Sequence, residues 1–207
     1  MWAQWFSDGS LAMEFKNIYT PRLMIEIPKP KDAVSMHEAM RESFGTLKQW
    51  MPWAQTLAGV EDVELYIRSH EINWSGEWQE GIEAPLQIVS RHSGQFIGAT
   101  GIKPLLIKIP SFEIGFWIRD SAAGNGLMTE AINGLTRYLF TVMGAKRCQI
   151  EMDILNQKSI NVAKRLNFSQ EATLRNYCLS ADGTKISDTL IFGCTRISDL
   201  PELTVSW

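Results

Sequence analysis

One stretch limits what this chain can become. Ser121-Ala122-Ala123-Gly124-Asn125-Gly126 lies between a short apolar run and a long amphipathic one. The run before it, Phe112-Glu113-Ile114-Gly115-Phe116-Trp117-Ile118, predicts a buried strand. After it, Met128, Ile132, Leu135, Leu139 and Val142 recur at helical spacing and predict an amphipathic helix over 127–142. A helix start carries backbone N–H groups without internal partners and the positive end of the helix dipole. Gly124 and Gly126 remove the side chains that would hold a ligand away from those groups. The stretch therefore predicts a seat for a phosphate group.

Two commoner phosphate loops do not fit. The Gly-x-x-x-x-Gly-Lys-Ser/Thr run of a P-loop is absent. A dinucleotide fingerprint needs a third glycine three residues after the second, where this chain has Thr129, and no βαβ repeat follows. A lone Gly-x-Gly is equally at home in a plain tight turn, so its meaning depends on the flanking segments.

Those flanks read as an α/β (α+β) chain. Thr20–Ile27 alternates and predicts a first strand, followed by Pro28, Pro30 and a helix from Asp32 to about Phe44. Leu47–Trp53 predicts a loop whose tryptophans either cover the core or wall a cleft. A second helix is expected from Glu61 to about Trp78. Leu86–Val89 and Phe96–Ile102 read as strands joined at Ser93-Gly94, with Pro104 and Pro110 bounding a connection that carries Lys103 and Lys108. Lys146–Asp153 predicts the next strand and Gln157–Leu166 a helix capped by Asn156. Asn167 then takes the left-handed C-cap position, and Phe168–Arg175 and Ile186–Cys194 form a hairpin through Asp182-Gly183. Without a repeat or linker, one domain is expected over 19–198, between an arm (1–18) and a tail (199–207). The arm's Trp2, Trp5, Phe6 and Phe15 either dock on that domain or join two copies of the chain as a homodimer.

Bulk properties narrow the function. At 207 residues, with 45% hydrophobic and 21% charged residues, the chain can bury a full core. A net charge of −3 argues against direct nucleic-acid binding. Cys148, Cys178 and Cys194 are odd in number and widely spaced, which fits a reducing, cytoplasmic setting. His37, His70 and His92 share no ligand spacing with them, so no metal is expected. No apolar window of about 18 residues predicts a membrane span. Met1–Lys16 carries Asp8 and Glu14 and does not read as a signal peptide.

Five motifs in order resemble the GNAT N-acetyltransferases, and within them the RimJ/RimL-type branch that acetylates protein N-termini such as those of ribosomal proteins. They are Thr20-Pro21-Arg22-Leu23, Leu47-Lys-Gln-Trp50-Met-Pro-Trp53, Glu113-Ile114-Gly115-Phe116-Trp117-Ile118, Ser121-x-x-Gly124-x-Gly126, and Asn156-x-x-Ser159 followed by Leu166-Asn167-Phe168. The family loop begins with Arg or Gln where this chain has Ser121, and the tyrosine that many members place near the thiol has no clear counterpart around Asn161–Val162.

The resemblance implies a mixed, strongly twisted seven-stranded sheet flanked by helices, its fourth and fifth strands (Phe112–Ile118 and Arg147–Met152) splayed apart. Acetyl-CoA would lie in that opening, held by the backbone of Phe116, Trp117 and Ile118, by the amides of Ala123, Gly124, Asn125, Gly126, Leu127 and Met128, and by Asn156 and Ser159. Lys158, Lys164 and Arg165 are candidates for its 3′-phosphate. The implied reaction is direct attack of a neutral amine on the thioester. An α-amine of pKa about 7.7–8.0 is roughly one third neutral near pH 7.5, whereas a lysine amine at about 10.4 would cost roughly 4 kcal/mol to deprotonate. Glu113, on the same strand face as Gly115 and Trp117, is the candidate base; a salt-bridged strand glutamate is the other reading. Ser159 is the candidate donor to the departing thiolate, or else part of the helix cap. Trp50, Trp53, Glu171 and Tyr177 are candidates for the acceptor site. Cys148 and Cys178 have no histidine nearby in sequence to make either a nucleophile. Three readings stand: acetylation of a protein N-terminus, acetylation of a small amine such as an antibiotic or polyamine, and non-catalytic acyl-CoA binding.

Overall fold

The computed structural model describes residues 15–71, 74, 79–106 and 108–207. The strands are β1 (Ile18–Tyr19), β2 (Leu23–Glu26), β3 (Ala84–Ser90), β4 (Phe96–Leu106), β5 (Ser111–Ile118), β6 (Arg147–Asp153), β7 (Ser169–Leu179) and β8 (Ile186–Cys194). The helices are α1 (Ala33–Glu42), α2 (Phe44–Trp50), α3 (Val60–His70), α4 (Leu127–Thr141) and α5 (Gln157–Arg165). The strands form one mixed sheet in the order β1-β2-β3-β4-β5-β6-β8-β7. Every pairing is antiparallel except β5 with β6.

The sheet has eight strands, not seven. The run expected as one strand over Thr20–Ile27 is strand only over Leu23–Glu26, and Ile18–Tyr19 before it is a strand of its own, because the Thr20 hydroxyl accepts from Leu23 N at 3.0 Å while Thr20 N donates to Leu23 O at 2.9 Å. That turn, with Pro21 inside it, folds Ile18 back onto Ile25. The fourth and fifth strands of the sequence reading are thus β5 and β6. Two other expectations change. Leu47–Trp50 is helical, not loop, because Leu47 is buried against α1 and α3. The chain leaves helix only at Met51, which Pro52 holds extended. Lys103 and Pro104 are not in a connection but inside β4, opposite Glu113 and Phe112. The end of the helix expected to reach Trp78, and the aromatics Trp2, Trp5 and Phe6, lie outside the described residues.

Both sheet faces are covered. On one, Ile132, Leu135 and Leu139 of α4 are fully buried against Leu86, Ile88, Ile114 and Ile150. Burial at that depth makes truncation of any of them cost about 2–5 kcal/mol. On the other, Met36, Met40, Leu47, Val63 and Ile67 of α1–α3 pack on Phe96. The segment 199–207 returns along α4: Asn133 and Arg137 donate to Pro201 O, and Ser206 bridges to Tyr19. Phe15 packs on Tyr138 and Trp74, with ring centroids 5.0 and 4.7 Å apart.

Candidate active site

β5 and β6 pair over three rungs only: Ser111 with Arg147, Phe112 with Cys148 and Glu113 with Gln149. Beyond Glu113 the strands part. β5 continues to Ile118 bonded to β4 alone, while β6 continues to Asp153 bonded to β8 alone. Arg119 N donates to Ile97 O, and Gly115 O accepts from the Thr100 hydroxyl, so odd residues of β5 turn their backbone toward β4. By strand alternation Phe116 and Ile118 turn theirs to the open edge. Trp117 O instead lies 2.3 Å from where a Cβ on Gly98 would stand. The splay thus leaves the backbone of two β5 residues, Phe116 and Ile118, without a strand partner on that edge.

The glycine loop closes one end of the wedge. Gly124 and Gly126 have φ of 81° and 73°, a region that favours glycine, and a Cβ on Gly124 would meet nothing within 4 Å. Ala122 N and Ala123 N are spent on the turn that begins at Arg119. Among the described residues, the amides of Gly124 through Thr129 donate to no protein atom, the next amide in use being Glu130 N on Gly126 O. Ser121 N donates to Glu42 Oε1 at 2.8 Å, and Arg119 clasps the same carboxylate. Those two bonds hold the Glu42 carboxyl well below its ordinary value, at about 2.

Arg22, in the turn between β1 and β2, reaches the glycine loop. Its Nε meets Glu130 Oε2 at 2.5 Å and its Nη1 donates to Asn125 O at 3.0 Å. Its Nη2 lies 3.7 Å from the Cβ position of Gly126. A guanidinium from elsewhere in the chain therefore stands at the loop, whose own first residue, Ser121, is short. Sequence reasoning missed it because the two segments are about a hundred residues apart.

At the other end of the wedge, Asn156 caps α5. Its Oδ1 accepts from Ser159 N at 3.2 Å. The cap uses the Ser159 amide, not its hydroxyl. Lys158, Lys164 and Arg165 are exposed on the same helix.

The sheet face at the apex is polar. Glu113 is paired with Lys103, Nζ to Oε2 2.9 Å. Glu171 reaches across Gly193 to Arg147, Arg147 donates to Gln149 Oε1, and Gln149 donates to Glu151 Oε1 at 2.8 Å. Glu171 is therefore bonded below the splay rather than brought to a cleft. Glu151 stands on the open wall formed by β6. Burial, followed by the Glu113 charge, raises its pKa. It is the second functional candidate that sequence reasoning missed; its place two residues after Gln149, on the same strand face, was the available signal.

Two clefts flank the segment Met51–Ala54. Trp50 and Tyr177 line the first together with Glu151, Asp153 and Leu179, in a volume of about 270 Å³. Trp53 goes to the second, an apolar cavity of about 480 Å³ over β4 and β5, where its ring is 6.4 Å from that of Trp117. The acceptor candidates are thus divided: Trp50 with Tyr177, Trp53 apart, Glu171 in neither. Cys148 is fully buried, and burial pushes its thiol up. No group of three His, Cys, Asp or Glu side chains among the described residues could hold a metal ion.

The family model described as acetyltransferase (GNAT) domain matches residues 22–169, most of the chain. The chain belongs to the GNAT acetyltransferase family. It is an acetyl-CoA-dependent acetyltransferase of GNAT type. Among its relatives, YdaF of Bacillus subtilis (strain 168), named for ribosomal N-acetyltransferase activity, is 26% identical over 156 residues, 74% of this chain and 81% of that protein. RimL, titled a ribosomal L7/L12 alpha-N-protein acetyltransferase in complex with coenzyme A, superposes with a TM-score of 0.77 at 17% identity, covering 88% of this chain and 99% of that one. RimJ of Mycobacterium smegmatis, in complex with a CoA disulfide, gives 0.77 at 21% identity, covering 93% and 92%. The GNAT fold expected from the sequence is the fold found. No helix among the described residues is long and apolar enough to cross a membrane.

Proposed function

We propose that this GNAT acetyltransferase acts on the α-amino group of a protein N-terminus. The observation that carries the reading is the cleft of Trp50, Tyr177 and Glu151. It is rimmed by exposed Tyr177 and Leu179, which offer aromatic and apolar contacts to an incoming chain. Its carboxylates, Glu151 and Asp153, suit any cationic amine, so the aromatic and apolar rim is what favours a peptide. The names of YdaF and RimL support the same class of acceptor.

In this reading the diphosphate of acetyl-CoA meets the free amides of Gly124 to Met128, the loop beginning at Ala123, with the Arg22 guanidinium beside them. The pantetheine arm follows the open backbone of Phe116 and Ile118, not that of Trp117, which the pairing with β4 takes up, and Asn156 bounds its far side. The amine enters past Trp50 and Tyr177. The base role passes from Glu113, whose carboxylate is held by Lys103, to Glu151, which stands on the open β6 wall and whose pKa burial and the Glu113 charge raise. Glu113 tunes Glu151 through its charge. Glu171 steadies Gln149 through Arg147, and the Ser159 hydroxyl, left out of the cap, protonates the departing thiolate.

The test is release of free thiol from acetyl-CoA against Ser-, Ala-, Thr- and Leu-starting peptides, spermidine and an aminoglycoside. Turnover of peptides alone is the expected result. Turnover of the small amines alone overturns the acceptor class, and no release with any amine leaves acyl-CoA binding without catalysis.

A further inference from the structure

The apolar cavity over β4 and β5 has a physical origin. Gly101 and Gly115 are direct partners across the two strands, and Ala99 faces Trp117 two rungs further on. Side chains of odd-numbered β5 residues would project into this face, yet a Cβ on Gly115 would meet nothing within 4 Å. The hollow lies over the side chain missing at Gly115, while the Glu83 carboxylate takes the place of one at Gly101. Met36, Met40 and Met51 roof it, Trp53 and Trp117 form its rim, and about 480 Å³ remains open.

The position links it to the reaction. Gly115 follows Glu113 by two residues on one strand face, about 7 Å away. Asp62 and Glu83 stand in the wall, and the Glu83 carboxylate lies over Gly101, within 2.2 Å of a Cβ there. An apolar hollow with carboxylates in its wall is complementary to an apolar side chain borne beside a cationic amine. An extended acyl chain on the donor would gain nothing from those carboxylates.

We propose that this cavity receives the side chain of the acceptor residue that carries the amine, and that it selects large apolar residues there. Thioether side chains and tryptophan can repack around differently shaped apolar groups. The inference rests on the reading of the protein as an α-amine acetyltransferase.

The experiment compares kcat/KM for peptides differing only in the first residue (Phe, Leu, Met, Ser, Ala), in the native protein and in Gly115→Val. Phe, Leu and Met are expected to exceed Ser and Ala by about tenfold, the value of 1.4 kcal/mol. Valine is at home in a strand, fills the hollow, and collapses that ratio. Trp53→Ala, a change at an exposed rim position, lowers the same ratio independently of any folding defect in the first variant. Peptide turnover with no first-residue preference, or a preference that both variants leave intact, overturns the proposal and spares the α-amine reading. Turnover of spermidine alone overturns both. Turnover of hexanoyl-CoA abolished by Gly115→Val assigns the cavity to the donor's acyl chain and also overturns the proposal.

Discussion

Lys103 and Glu113 lie directly opposite each other on β4 and β5, with Nζ and Oε2 2.9 Å apart. The pair ends the closed part of the sheet and places a second carboxylate, Glu151, in the field of the first. Glu151→Gln is expected to lower kcat by about 10²-fold, at the lower end for loss of a general base because an α-amine is already partly neutral. The acidic limb of the pH–rate profile goes with it. Glu113→Gln removes a charge that raises the Glu151 pKa, so its limb moves to lower pH. A Glu113→Gln profile lacking the limb altogether would return the base role to Glu113.

Arg22 tests the proposed phosphate seat. Arg22→Ala is expected to raise KM for acetyl-CoA about tenfold, in line with a lost charge-assisted hydrogen bond, with little change in kcat. Acetyl-pantetheine, which has no diphosphate, should show no such increase. If both donors lose equally, Arg22 serves only to anchor α4 through Glu130.

Asn156 and Ser159 separate cap from catalysis. Asn156→Ala removes the acceptor of the Ser159 amide and is expected to cost about 0.5–2 kcal/mol in urea unfolding. Ser159→Ala leaves that bond in place, so it should keep the unfolding midpoint and lower kcat. A stability loss with unchanged turnover would make Ser159 a structural residue only.

Glu42 links the α1–α2 joint to the glycine loop and carries a pH signature. Its carboxyl is held at about 2, against an ordinary 4.5, by the Arg119 and Ser121 bonds. Such a group stabilises the fold above pH 4.5, and the contribution fades as pH falls through about 2. Glu42→Gln should therefore lower Tm by about 2 °C at pH 7, a small shift because solvent screens the pair. The native and variant curves should converge on acidification, as followed by circular dichroism. A Tm difference that persists at pH 2 would assign the effect to packing.

Much of the frame was legible from local chemistry. Gly124 and Gly126 fixed a left-handed loop, the 127–142 stripe fixed α4, and Asn156 and Asn167 marked both ends of α5. Each rests on interactions within a few residues, where spacing and backbone preference decide the outcome. The turn at Thr20 was hidden because its strand pairs back on itself, and α2 because its helix is held by Leu47 burial, not by a sequence cap.

What the sequence by itself determined was the order strand, glycine loop, helix, and with it the run of free amides on which the proposed phosphate seat rests. The tertiary structure alone decided which side chains meet there. Arg22 reaches Asn125, Glu171 turns to Arg147 and away from the clefts, and Trp50 and Trp53 part to different cavities. These are outcomes of strand register and of where the β5–β6 pairing stops, and both depend on contacts between residues far apart in the chain.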